Sequence, residues 1–176
     1  MAKTMKIVAY DPSKDPEFKE FIKEIKKESE RAQAIICHAY VEELLKELLK
    51  KRLIKDKDFL KSLKKLISFS RLLTLCYITG IVNKAERKDI KLLAKIRNRF
   101  AHKRKIKSFN AEDIPELCND LRIPKPFTIE LTPREKFIKT AGYYIQILNL
   151  KLKYTKKVRF VEKESRALLM LNNLFI

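Results

Sequence analysis

"ESERAQAIICHAYVEELLKELLKKRLI", residues 28–54, decides the fold class of this chain. From Ala32 to Val41 the residues are apolar almost all the way round a helical wheel, the pattern of a helix enclosed by other helices. Further along the stretch turns amphipathic. Val41, Leu44, Leu45 and Leu48 form one stripe, and Ile36, Tyr40, Glu43 and Glu47 line up on the opposite one. Such a helix cannot bury itself, so the flanking chain must supply its neighbours.

The flanks read as helices too. Upstream, Asp15 caps and Pro16 opens a helix in which Phe18, Phe21, Ile22 and Ile25 recur at helical spacing, with a break near Glu28-Ser29. Residues 1–14 lack a period and are expected to be a flexible N-terminal arm, leaving 15–176 as a single helical domain. Downstream, residues 59–66 suit a short helix. "SFSRLLTLCYITG" (68–80) follows, capped by Ser68 or Ser70 and stopped at Gly80, where a left-handed residue is easiest. Asn83 and Glu86 make a capping box that opens a helix over about 84–103. Asp113 with Glu116 suits the start of another over "IPELCNDL" (114–121), and "RIPKPFTIEL" (122–131) is a proline-marked connection. Thr132-Pro133-Arg134-Glu135 starts a helix running to about Lys153. "VEKESRALLMLNNLFI" (161–176) reads as a last amphipathic helix. "KVRFV" (157–161) could pair as a strand, but one short run makes no sheet. The expectation is an all-α chain.

Composition agrees with this reading. Gly 2 and Pro 6 in 176 residues leave little chain-reversal material, and 45% hydrophobic with 36% charged residues suits a soluble globular chain with a real core. No apolar run reaches the length of a membrane span, and "MAKTMKIVAYDPSKDP" (1–16) has no apolar signal core, so a cytoplasmic protein without a membrane partner is expected. Cys37, Cys76 and Cys118 are widely spaced, form no CxxC pair and have only His38 and His102 as companions. That argues for buried free thiols, with no metal and no cofactor.

The formal charge of +19 favours a polyanionic partner, although a lysine-heavy proteome would spread lysine over every surface. Here the excess is concentrated. Segment 84–107 carries eleven Lys and Arg residues against Glu86 and Asp89, whereas 19–51 mixes both signs evenly. Nucleic-acid contact is therefore expected at Lys95, Arg99, Lys103, Arg104, Lys105 and Lys107.

Within that segment lies "IRNRFAH" (96–102). On a helix Asn98 and His102 share a face, and the long Arg97 side chain can swing toward it. An arginine, an amide and an imidazole together suit RNA cleavage at its own 2′-hydroxyl. The histidine would move the proton and the arginine would hold the phosphate and its developing charge. The same spacing also suits a structural role, with Arg97 paired to a core acid such as Glu43 and His102 closing the helix C-terminus, where a cation is favoured.

Five blocks in order extend the pattern: "ESERAQAIICHAYVEELLKELL" (28–49), "SFSRLLTLCYITGIV" (68–82), "IKLLAKIRNRFAH" (90–102), "SFNAEDIPELCNDL" (108–121) and "TPREKFI" (132–138). In them the chain resembles the mannitol operon repressor family, a branch of the HEPN superfamily. The resemblance covers about residues 28–145. It implies a compact helical bundle, dimerising so that two motif helices face each other. It further implies a metal-independent endoribonuclease of toxin or defence type, with Arg97, Asn98 and His102 at the catalytic positions and a composite site at the dimer interface. RNA, a second copy of the chain, and an antitoxin or regulatory protein are the implied partners. One toxin branch has tyrosine two residues after the histidine; this chain has Arg104, which argues against that branch. The mannitol repressor branch itself implies the alternative, a non-catalytic transcriptional regulator acting through protein or nucleic-acid contacts.

Glu28 and Arg31 match the first block and either border the cleft or pair within their helix. His38, inside an apolar helix, reads as a satisfied core histidine. Tyr40, Tyr77, Tyr143 and Tyr144 read as core residues, and Ser29 and Ser70 lack a general-base partner for nucleophilic hydrolysis.

Overall fold

The computed structural model describes residues 16–53, 68–122 and 130–155. They form six helices: α1 (Pro16–Lys26), α2 (Glu30–Arg52), α3 (Phe69–Ile78), α4 (Lys84–His102), α5 (Ile114–Asn119) and α6 (Pro133–Tyr154). No strand occurs among the described residues. The expected arm over 1–14, helix over 59–66 and terminal helix and strand after 156 lie outside them, as does most of the 122–131 connection.

α2 is the central helix, but one stripe of it faces solvent: Ile35 is 41% exposed, and Ala39, Glu43 and Glu47 are exposed on the turns that follow. It packs against α1, α3, α4 and α6, yet the all-round enclosure expected for 32–41 does not form among the described residues, because these four neighbours leave the Ile35–Ala39 side uncovered. Ala34, Cys37, Val41, Leu45, Leu48 and Leu49 are all buried along it. A buried Leu of this kind contributes roughly 1.5–3 kcal/mol. Ser29 divides α1 from α2: its side chain accepts the Ala32 amide as an N-cap. The buried Gln33 side chain then ties three elements together, donating to the Ile25 carbonyl at 2.7 Å and accepting from Arg134 Nε at 3.0 Å.

The predicted caps of α4 and α6 form as capping boxes, Asn83 with Glu86 and Thr132 with Glu135. α3 ends at Gly80, whose φ of 71° lets the Ile81 and Val82 amides turn back onto the Cys76 carbonyl. Ser68, not Ser70, is the N-cap residue of α3, and its side chain makes no capping bond. Asp113 stands at the N-cap of α5 but likewise makes no side-chain cap, because its carboxylate is taken by Arg99.

The three cysteines are buried and unpaired, and burial pushes each thiol up to about 12. Of the four tyrosines expected in the core, Tyr144 is buried, and Tyr40 and Tyr143 are half-buried. Tyr77 is exposed instead, and the Arg87 guanidinium sits over its ring at 5.0 Å. No helix among the described residues is long and apolar enough to cross a membrane.

Candidate nucleic-acid interface on the motif helix

α4 carries the Arg-Asn-His motif and is pinned at both ends. At its N-terminal end, Lys151 of α6 bridges both Glu86 carboxylate oxygens at 2.7 Å and donates to the Ile81 carbonyl. One turn on, the buried Asp89 accepts from the Tyr144 hydroxyl at 2.6 Å. Arg122 reaches both Asp89 and the Ala85 carbonyl. Burial, then the Asp89 hydrogen bond, drive the Tyr144 hydroxyl far above its ordinary pKa, so it remains a donor.

The C-terminal end is held by Arg31. Its Nη2 donates to the carbonyls of Lys103, Arg104 and Ile106 at 2.8, 3.0 and 2.8 Å. These carbonyls belong to the C-cap and the turn beyond it, where the Lys103 carbonyl also accepts the Ile106 amide at 3.1 Å, and a guanidinium there complements the helix dipole. Beside it Glu30 accepts the Phe109 amide at 2.6 Å. The Phe100–Phe109–Phe137 ring series, with centroids 4.8 and 5.1 Å apart, fixes the following loop onto α4 and α6. Arg31 therefore does not make the expected ion pair with Glu28. It grips the backbone just after His102, while Glu28 is exposed.

The basic residues fall into two groups. Arg99 holds Asp113 Oδ2 through Nε and Nη2 at 3.0 and 2.7 Å, and Lys103 pairs with Glu112. Partial burial works to raise the Asp113 carboxyl, but the Arg99 hydrogen bonds and charge outweigh it and hold it below the ordinary carboxylate value. Two cations expected to contact nucleic acid are thus neutralised within the chain. Arg104, Lys105 and Lys107 are exposed around the turn after the helix.

The second group lines a groove of about 680 Å³ between α3 and α4. One wall is Arg87, Lys88, Lys91, Lys95, Arg97 and Asn98; the other is Ser68, Phe69, Ser70, Leu73 and Thr74, with Leu92 and Ala94 completing the lining. Five of these side chains are cations and none is a carboxylate. Arg97 is half-buried and, among the described residues, makes no ion pair. Glu43, its expected structural partner, faces solvent instead. Asn98 and His102 are exposed, with His102 closing α4 one turn beyond the groove.

Behind the groove wall lies His38, 2% exposed, its ring 4.4 Å from that of Phe69. Burial, with the nearby Arg97 charge, lowers its pKa to about 4 against the opposing pull of Glu42, so it is neutral at pH 7. Nδ1 lies 3.7 Å from Glu42, and Nε2 is buried without a partner. It is a core histidine, though an incompletely satisfied one.

Sequence reasoning missed the hydroxyl and apolar wall of the groove, since Ser68 and Ser70 carry no sequence signal beyond helix capping that would place them opposite α4. It also missed the Arg31 grip, which joins residues more than seventy positions apart. Among the described residues no group of three or more His, Cys, Asp or Glu is placed to hold a metal ion. No family model, curated protein or solved structure matches the chain.

Proposed function

We propose that the protein is an RNA-binding, metal-independent endoribonuclease of the HEPN kind, working as a homodimer in which two Arg97/Asn98/His102 sets share one cleft. The supporting observation is Arg97. A half-buried arginine with no carboxylate partner among the described residues, set in a cationic wall, has its charge available for a phosphate. His102, exposed at the end of the same helix, is available for proton transfer.

In the proposed step the imidazole of one copy takes the proton of a ribose 2′-hydroxyl. The oxygen attacks the adjacent phosphorus, the bond to the 5′-oxygen breaks, and the second copy's imidazolium returns a proton to that leaving oxygen. The products are a 2′,3′-cyclic phosphate end and a 5′-hydroxyl end, so protons and charge balance with these side chains alone. Arg97 neutralises the non-bridging oxygens as charge builds, and Asn98 orients the phosphate. Such an activity belongs in the cytoplasm with its substrate, and it calls for a restraining antitoxin or regulatory protein.

The test is incubation of total RNA in EDTA with the parent protein, His102→Ala and Arg97→Ala. Each substitution should cut cleavage roughly a hundred-fold or more while leaving the melting temperature nearly unchanged. Sedimentation at micromolar concentration should show a dimer. A protein that binds RNA, leaves it intact and sediments as a monomer refutes the shared-cleft reading and leaves the non-catalytic regulator.

A further inference from the structure

We infer that the groove between α3 and α4 is the track of a single RNA strand, which runs along Arg87, Lys88, Lys91 and Lys95 toward Arg97. This names the substrate form and its path, and it rests on the functional reading above only for what happens at the end of the track.

Three observations carry it. First, the cations are regularly placed. Arg87, Lys91 and Lys95 succeed each other every four residues on one helix, a rise of about 6 Å per step. That repeat is close to the phosphate step of an extended single strand. Second, their charge is uncompensated: no carboxylate lines the groove, in contrast to Arg99 and Lys103 at the helix end, which are spent on Asp113 and Glu112. Third, the two walls differ. The α4 wall is cationic, while the α3 side offers the half-buried Phe69 ring among the Ser68, Ser70 and Thr74 hydroxyls, with Leu73 buried behind them. A single strand can lay its phosphates on one wall and turn base faces to the other. A duplex keeps its bases stacked inside and would leave the Phe69 ring and the hydroxyls without a base to meet. An acidic protein segment could meet the cations, but it does not carry a planar face beside every charge as a single strand does.

The experiment uses the full chain carrying His102→Ala, so that the probe stays intact. Fluorescence anisotropy follows a labelled twelve-nucleotide uridine oligomer as salt is raised. The groove variant is Lys88→Glu with Lys91→Glu, and the control is Lys23→Glu with Lys27→Glu, far along the sequence from the motif; all four lysines are exposed, so folding is expected to survive in both. The groove variant should bind at least ten-fold more weakly. The slope of log affinity against log salt should shrink by about 1.4, for two lost contacts to a single strand. The control should change much less, and an RNA duplex should bind more weakly than the oligomer. The inference is overturned if the groove variant binds like its parent, if the control loses more, if the duplex binds better, or if polyglutamate binds the groove while the oligomer does not. The two readings fail separately. Groove-dependent binding without cleavage by the parent removes the nuclease alone. Cleavage by a Lys88→Glu, Lys91→Glu protein with unchanged kcat/KM removes the track alone.

Discussion

Replacing Arg31 with methionine tests whether a distant helix really holds the motif in place. The substitution keeps an unbranched stem and removes only the guanidinium, whose Nη2 donates to the carbonyls of Lys103, Arg104 and Ile106. One nitrogen has two hydrogens, so three short contacts amount to about one strong, shared, charge-assisted cap, worth roughly 1.5–3 kcal/mol. The favourable placement of the charge at the end of α4 adds about 0.3–1 kcal/mol. Against this, the first two carbonyls are near solvent and can take water instead, and the buried Arg31 Nε has no partner to lose. A net loss of about 2 kcal/mol is expected, toward the lower part of that range. In urea this should lower the unfolding midpoint by about 1 M for an ordinary slope of about 2 kcal/mol per molar. Arg31→Lys, which keeps the charge but cannot span three acceptors, should recover part of the loss. A Met variant within about 0.5 kcal/mol of the parent would mean that the turn after His102 holds itself.

Tyr144→Phe should cost about 1.5–3 kcal/mol, because the buried Asp89 carboxylate loses its 2.6 Å donor and keeps, among the described residues, only Arg122 at 3.4 Å. Chemical denaturation of Tyr144→Phe, Asp89→Leu and the double variant should show strong coupling, and additive losses would dissolve the pair. His38 sets a pH dependence whose sign follows from its lowered pKa: between about 4 and 6.5 the unfolded chain binds a proton that the folded one does not. Stability should therefore fall as pH drops through that window, by up to about 3 kcal/mol for a shift of this size. Comparing His38→Leu with the parent at pH 7 and pH 4.5 isolates the effect, and equal pH slopes would show that His38 is not buried neutral.

Much of this protein was decided within stretches of a few residues. Helix starts at Ser29, Asn83 and Thr132 and the stop at Gly80 depend on bonds spanning six residues or fewer, so the sequence alone determined them. The central place of α2 was legible in its apolar 32–41 segment, but its full enclosure was not decided there, since the packing leaves Ile35 and Ala39 outward. The sequence also concentrated cations on α4. Which of those cations remain available was a tertiary matter. Arg99 and Lys103 meet Asp113 and Glu112 only because the loop after α4 folds back, whereas Arg87 to Arg97 face a wall from α3 that carries no acid. The grip of Arg31 on the carbonyls after His102 was likewise invisible, since a guanidinium can be satisfied by any backbone brought to it and only the packing of α2 against α4 brings this one.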